Sequence, residues 1–152
     1  MPTCFDVADF FLANADQDDA ITHMALQKMC AYAQAFSLVL LGKRLFDDSL
    51  EAWQHGPVIR ALYKQYCSSG RDALSTIIRA DESRAPFSDE ELFILETVNS
   101  YYGRYRTPVL RNMSHSDFPG DFGPAKQEIP DSDIVARFSE NKIIQNIRAA
   151  YQ

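Results

Sequence analysis

Leu26-Gln27-Lys28-Met29-Cys30-Ala31-Tyr32-Ala33-Gln34-Ala35-Phe36-Ser37-Leu38-Val39-Leu40-Leu41 is the stretch on which the fold turns. Leu26, Met29, Cys30, Ala33, Phe36 and Leu40 recur at helical spacing. The far end, Leu38 to Leu41, is apolar nearly all round, so the helix is expected to be central and covered on several sides. Thr22 reads as its N-cap, with Ile21 and Leu26 placed as a hydrophobic staple. Gly42 supplies the left-handed residue that ends helices. The spacing thus predicts a long buried helix from His23 to Leu41.

Downstream, Leu45-Phe46 and Leu50-Glu51-Ala52-Trp53 flank the turn residues Asp47-Asp48-Ser49 and read as a small β-hairpin over Leu45 to Trp53. Gly56-Pro57 reads as a helix start with proline at the first position, where its missing N–H costs nothing. Val58, Leu62 and Tyr66 then share a face, and Gly70 follows the end. Upstream, Thr3 with Asp6 caps a first helix carrying Val7, Phe10 and Phe11. Asp16 to Asp19 form an acidic break without the glycine and distal glutamate of a calcium loop.

Leu74 to Arg84 is a weak segment in which Ile77-Ile78 reads as a short strand or a loop anchor. Ser88 and Glu91 make a capping box between the staple residues Phe87 and Leu92, opening a helix to Gly103. A shorter helix is expected from Thr107-Pro108. Asp117 to Pro124 is a turn-rich loop with two aromatic anchors. Two short helices close the chain, near Ile134 to Phe138 and from Ser139, the last with Ile143, Ile144 and Ile147 on one face. The fold class read from this pattern is mainly α, a single helical domain over residues 1–152 around a long buried helix, with one small hairpin.

Bulk properties agree. A content of 46% hydrophobic and 24% charged residues lies at the globular average, which argues against disorder. A net charge of −6 repels phosphates, and no predicted helix offers a basic face, so a nucleic-acid partner is disfavoured. Cys4, Cys30 and Cys67 are widely spaced and read as reduced thiols of a cytoplasmic protein. No segment approaches a signal peptide or the roughly 20 apolar residues of a membrane span.

The familiar sequence patterns of catalysis and metal binding are absent. No His-Glu-x-x-His pair, Gly-x-Ser-x-Gly elbow or glycine-rich phosphate loop occurs. His23 at a helix start, His55 at the hairpin end and His115 at a helix end read as residues bonded to backbone rather than metal ligands. Cys30, in an apolar helical setting, reads as inert core. No catalytic residue, cofactor or metal is expected. Trp53 reads as a hairpin cover for the central helix, or alternatively as an anchor for a partner. Tyr101 and Tyr102 are adjacent, so at least one points outward.

The order Ile21-Thr22, Leu26-Gln27-Lys28, Tyr32-Ala33-Gln34, Gly42-Lys43, Leu45-Phe46, Glu51-Ala52-Trp53 and His55-Gly56-Pro57-Val58, continued by Leu62-Tyr63, Leu110 and Ser114-His115, resembles the Panacea domain, the SocA-like antitoxin domain that includes phage-associated GepA-type proteins. The resemblance runs from about Phe5 to Phe138. It implies a mainly helical fold with a small hairpin, and an antitoxin of a toxin–antitoxin pair that neutralises a cognate toxin by direct contact. An adaptor delivering a client to a ClpXP-type protease or its unfoldase is the alternative it implies. An enzyme or metal protein is a third reading, and a homodimer of the free chain stays open. The family's Gly-Pro-Trp after the histidine is replaced here by Asp117 to Phe122, where Phe118 or Phe122 is expected to fill the tryptophan's place. Gln27, Gln34, Trp53, His55 and Tyr63 are the candidate partner-binding residues, with Tyr101 and Asp117 as outliers. Gln27 and Gln34, seven residues apart and so on one helix face, have a second reading: they tie nearby backbone to the helix.

Overall fold

The computed structural model describes residues 1–15, 21–69 and 87–151. At its centre is α2, His23–Leu40, in which only Met24 and Leu40 escape full burial. Around it lie α1 (Cys4–Ala13), α3 (Arg60–Tyr66), α4 (Asp89–Tyr102), α5 (Thr107–Asp117), α6 (Asp131–Phe138) and α7 (Lys142–Ala150). The fold is mainly α, as the apolar pattern predicts. Asp16 to Asp19, Gly70 and Leu74 to Arg84 fall outside the described residues.

The expected caps are in place. Thr3 and Ser88 each form a reciprocal capping box, with Asp6 and Glu91, and the Thr22 hydroxyl accepts from the Ala25 N–H. Gly42 follows α2 with φ +70°, a conformation glycine takes without a Cβ penalty. Tyr32 anchors the core beside α2. It is fully buried, stacks on Tyr102 at 3.9 Å between centroids, and touches Phe118 and Phe138. Of the adjacent tyrosines, Tyr102 is the core residue and Tyr101 is exposed. Phe118, not Phe122, is the buried aromatic of the altered loop. The last helix begins later than Ser139, which instead caps the end of α6; Asn141 is the N-cap of α7.

The hairpin lies elsewhere than expected. β1 (Glu51–Trp53) pairs antiparallel with β2 (Gly56–Val58), and β3 (Gln127–Glu128) adds to the other edge of β1, giving the order β2-β1-β3. Leu45-Phe46 is not a strand, because a side chain takes its backbone. Gln34 Oε1 accepts from the Leu45 and Phe46 N–H groups at 2.8 and 3.3 Å, and Gln34 Nε2 donates to the Phe46 carbonyl at 2.8 Å. Pro57 does not start a helix either. It sits in edge strand β2, where a missing N–H is tolerated. Gln27 holds the chain extended one step further: its amide donates to the Ile59 carbonyl and accepts from the Ile59 N–H, so α3 begins only at Arg60.

Candidate functional site

The two glutamines divide the surface of α2 into two anchorages. Gln34 holds the 45–46 turn. Gln27, two helical turns earlier, holds Ile59 where β2 runs into α3. Both amides are buried and their hydrogen bonds go to backbone, with one Gln27 contact to His23 Nε2 at 3.1 Å. Gln34 positions backbone alone, whereas Gln27 both positions a surface and lines it.

What Gln27 positions is a cavity of about 580 Å³ between the N-terminal half of α2, the β1–β2 turn, α3 and the 123–126 loop. Its aromatic wall is Trp53 and Tyr63, 4.7 Å apart between ring centroids, with His23 5.8 Å from Tyr63. Lys126 reaches over the Trp53 ring, its Nζ 4.1 Å from the centroid, and the Arg60 guanidinium lies 5.4 Å from it. Both distances are within cation–π range. Glu51 fixes this arrangement from behind, accepting from Trp53 Nε1 at 2.9 Å and from Arg60 at 2.8 and 3.1 Å. Burial pushes the Glu51 carboxyl up, but the bonds from Arg60 and Trp53 outweigh it and hold it below the ordinary value.

At the floor is Lys28. Its side chain is 1% exposed and Nζ donates to the Pro57 carbonyl at 3.0 Å. Gly56 makes room for it. A Cβ on Gly56 would lie 3.0 Å from Ser114 Oγ and 3.1 Å from Lys28 Nζ, and φ there is +114°. Glycine is therefore required on two counts, space and conformation. Among the described residues no carboxylate pairs with Lys28. Burial, and then the charge of Arg111, lower its pKa to about 7. A neutral amine can still donate to Pro57, so the hydrogen bond survives loss of the proton.

The histidines are held by side chains rather than backbone, contrary to expectation. His55, exposed in the β1–β2 turn, accepts at Nδ1 from Arg111 Nε at 3.0 Å. His23 meets the Gln27 amide, and the His115 ring packs on Phe122 at 4.7 Å. Burial and neighbouring cations lower the pKa of His23 and of His55. Among the described residues no group of three or more His, Cys, Asp or Glu side chains is placed to hold a metal ion. Cys30 is fully buried, and burial raises its thiol pKa well above the ordinary value.

Of the seven candidate residues, Gln27, Trp53, His55 and Tyr63 line this one cavity. Gln34 is spent at the other end of α2. Tyr101 stands exposed near the end of α4. Asp117 ends α5, where it accepts from the buried Tyr32 hydroxyl at 2.7 Å. Sequence reasoning passed over Lys28, although the signal was present: it is the one charged side chain between His23 and Leu41. Lys126 left no such signal, since only tertiary packing carries it to Trp53.

The sequence model of the family described as antitoxin SocA-like, Panacea domain, matches residues 26–119, more than half of the chain. The chain belongs to the SocA-like antitoxin Panacea domain family. Searches of curated proteins and of solved structures gave no match. The Panacea span takes in α2, the hairpin, α3, α4 and α5, hence Lys28, Gly56 and the aromatic wall. It stops before Lys126 and β3. Family membership carries antitoxin-type function. Among the described residues no helix of this Panacea domain is long and apolar enough to cross a membrane.

Proposed function

We propose that this Panacea domain is an antitoxin that neutralises a cognate toxin by direct protein–protein contact, and that the contact face is centred on the cavity walled by Trp53 and Tyr63. The observation that carries the reading is the gathering of Trp53, His55 and Tyr63 at one open cavity whose floor and back wall are rigidly hydrogen-bonded. Preorganised aromatic anchors of this kind are favoured at binding hot spots, since little freedom is lost when a partner docks. Binding, without catalysis, is the role assigned to the site, in a single domain acting in the cytoplasm. The test is co-expression of the tagged chain with its genomic neighbours. A neighbour that arrests growth alone, and is captured and silenced by this chain, is the expected result; no captured and no toxic neighbour defeats the reading.

A second reading, an adaptor that passes its client to a protease, needs a second surface. An apolar cleft of about 660 Å³ between the end of α2, α4 and α7, with Phe93 and Tyr151 exposed at it, supports one. Phe93→Asp would then leave toxin capture intact while slowing toxin turnover in cells. Unchanged turnover removes the adaptor reading.

A further inference from the structure

The cavity beneath the hairpin is charged opposite to the chain. The sequence carries 21 Asp and Glu against 15 Lys and Arg. The cavity is lined by Lys28, Lys126, His23 and His55 and, among the described residues, by no carboxylate. Away from the cavity Lys43 and Arg44 each meet an acidic partner. Behind its Trp53 wall Glu51 pairs with Arg60 and its charge also acts on Lys126, whereas among the described residues Lys28 has no such partner. Lys28 has three donor positions when charged, and Pro57 takes one. A buried ammonium without a counter-charge is unfavourable, and Arg111 adds repulsion. An incoming anion would relieve both.

We propose that this cavity is a carboxylate-binding site, filled in the complex by an aspartate or glutamate side chain of the toxin, with Lys28 at its floor and Lys126 at its rim. The inference rests on the toxin-binding reading and adds the chemistry by which the partner is recognised. A carboxylate fits better than a phosphate. Lys126 already has the Glu51 carboxylate acting on it, and burial and neighbouring cations lower the pKa of His23 and of His55. Among the described residues Lys28 is thus the one ammonium of the lining without a counter-charge, a match for a single negative charge. A nucleotide fits poorly for a second reason: Lys126 and Arg60 already stand within cation–π range of Trp53, leaving little of the ring for a base. Apolar atoms of Met24, Val58 and the aromatic wall suit the methylenes of an acidic side chain.

Binding is then coupled to a proton. The charges that act on or respond to Lys28 are Arg111 on α5, His23 on its own helix and His55 in the hairpin turn. Lys126 in the 123–126 loop, Tyr63 on α3 and Cys67 just beyond it line the same cavity. Lys28 has its pKa near 7, so above that pH a carboxylate must bring a proton to it. Affinity should fall about tenfold per pH unit from 7 upward.

Trp53 is the sole tryptophan and lines the cavity, so its fluorescence reports occupancy. The probes are N-acetylglutamate α-methylamide, its glutamine counterpart and inorganic phosphate, each titrated into the whole chain at constant ionic strength. The expected result is a saturable change with the glutamate probe at pH 6.5, at least tenfold weaker with the glutamine probe and with phosphate, and weakened tenfold or more at pH 8.5. Lys28→Met should abolish it in a protein with an unchanged circular dichroism spectrum. If Lys28→Met fails to fold, the pH dependence of the natural chain decides alone. Equal response to both amide probes, tighter phosphate binding, a pH-independent affinity, or a folded Lys28→Met that still binds would each overturn the site. The titration uses no toxin, so its failure leaves toxin capture standing, and failed capture leaves the titration standing. With a toxin in hand, loss of capture in folded Lys28→Met supports the assignment of the carboxylate to the toxin, and unchanged capture overturns it.

Discussion

Single side chains of α2 organise much of this molecule. Gln34 satisfies four backbone groups of the 45–48 turn, the Leu45 and Phe46 N–H groups and the Phe46 and Asp48 carbonyls. Unpaired buried polar groups cost about 1–3 kcal/mol each, partly recovered by relaxation. Gln34→Ala should therefore lower stability by roughly 2–4 kcal/mol in urea unfolding, an effect on the fold that precedes any effect on a partner. Lys28 makes a different prediction, about pH. Its pKa of about 7 in the fold lies below the 10.5 of a free lysine. Between these values the unfolded chain binds the proton and the folded chain does not, so stability rises with pH, at up to about 1.4 kcal/mol per unit. The contribution is fully present above the unfolded value and is lost as pH falls through 7. The thiols oppose it from about pH 9, their ordinary value, because burial raises Cys4 to about 12 and Cys30 well above normal. The expected stability curve rises from pH 7 to 9, and Lys28→Met flattens that rise; denaturant midpoints across the range would show it.

Elements here are bounded by tertiary hydrogen bonds as much as by local propensity. β1 and β2 are three residues each, too short to persist alone. They are held by β3, by Lys28 on Pro57 and by Gln27 on Ile59. Gly56→Ala tests this: a Cβ at φ +114° would press on Ser114 Oγ and Lys28 Nζ. The expected outcome is a loss of about 2 kcal/mol or more, with Trp53 emission shifted as the turn is displaced. By contrast α4 is set locally. Removing the Ser88 cap with Ser88→Ala should cost about 1 kcal/mol and leave the Trp53 environment unchanged, which thermal melts read together with fluorescence would separate.

For the whole molecule, the proposed contact face lies apart from the aromatic core that carries stability. Aromatic packing of Tyr32 with Tyr102, Phe118 and Phe138 lies on the far side of the hydrogen-bonded glutamine face and is closed to solvent. Tyr63 is 40% exposed and Trp53 half-buried. Tyr63→Ala should thus weaken toxin capture at least tenfold, about 1.4 kcal/mol, while moving the melting temperature by only a few degrees. Tyr32→Phe should do the reverse, costing about 1–2 kcal/mol through the lost bond to Asp117 and leaving capture unchanged. Parallel pull-downs and melts distinguish the two.

The mainly helical class, the long central helix, the caps at Thr3, Thr22 and Ser88, and the family were legible in the chain itself, because periodicity and capping act within a few residues. Four of the seven candidate site residues also converge where the motif region suggested. The position of the hairpin was not legible. Local alternation favoured Leu45-Phe46 as a strand, but a buried amide 11 residues away competes successfully for that backbone. Nor does a sequence reveal that Lys28 lies buried without a counter-charge, or that Lys126 reaches Trp53. Burial depth and the set of neighbouring charges are properties of packing between distant segments, and they decide which side chain becomes the chemical centre of the site.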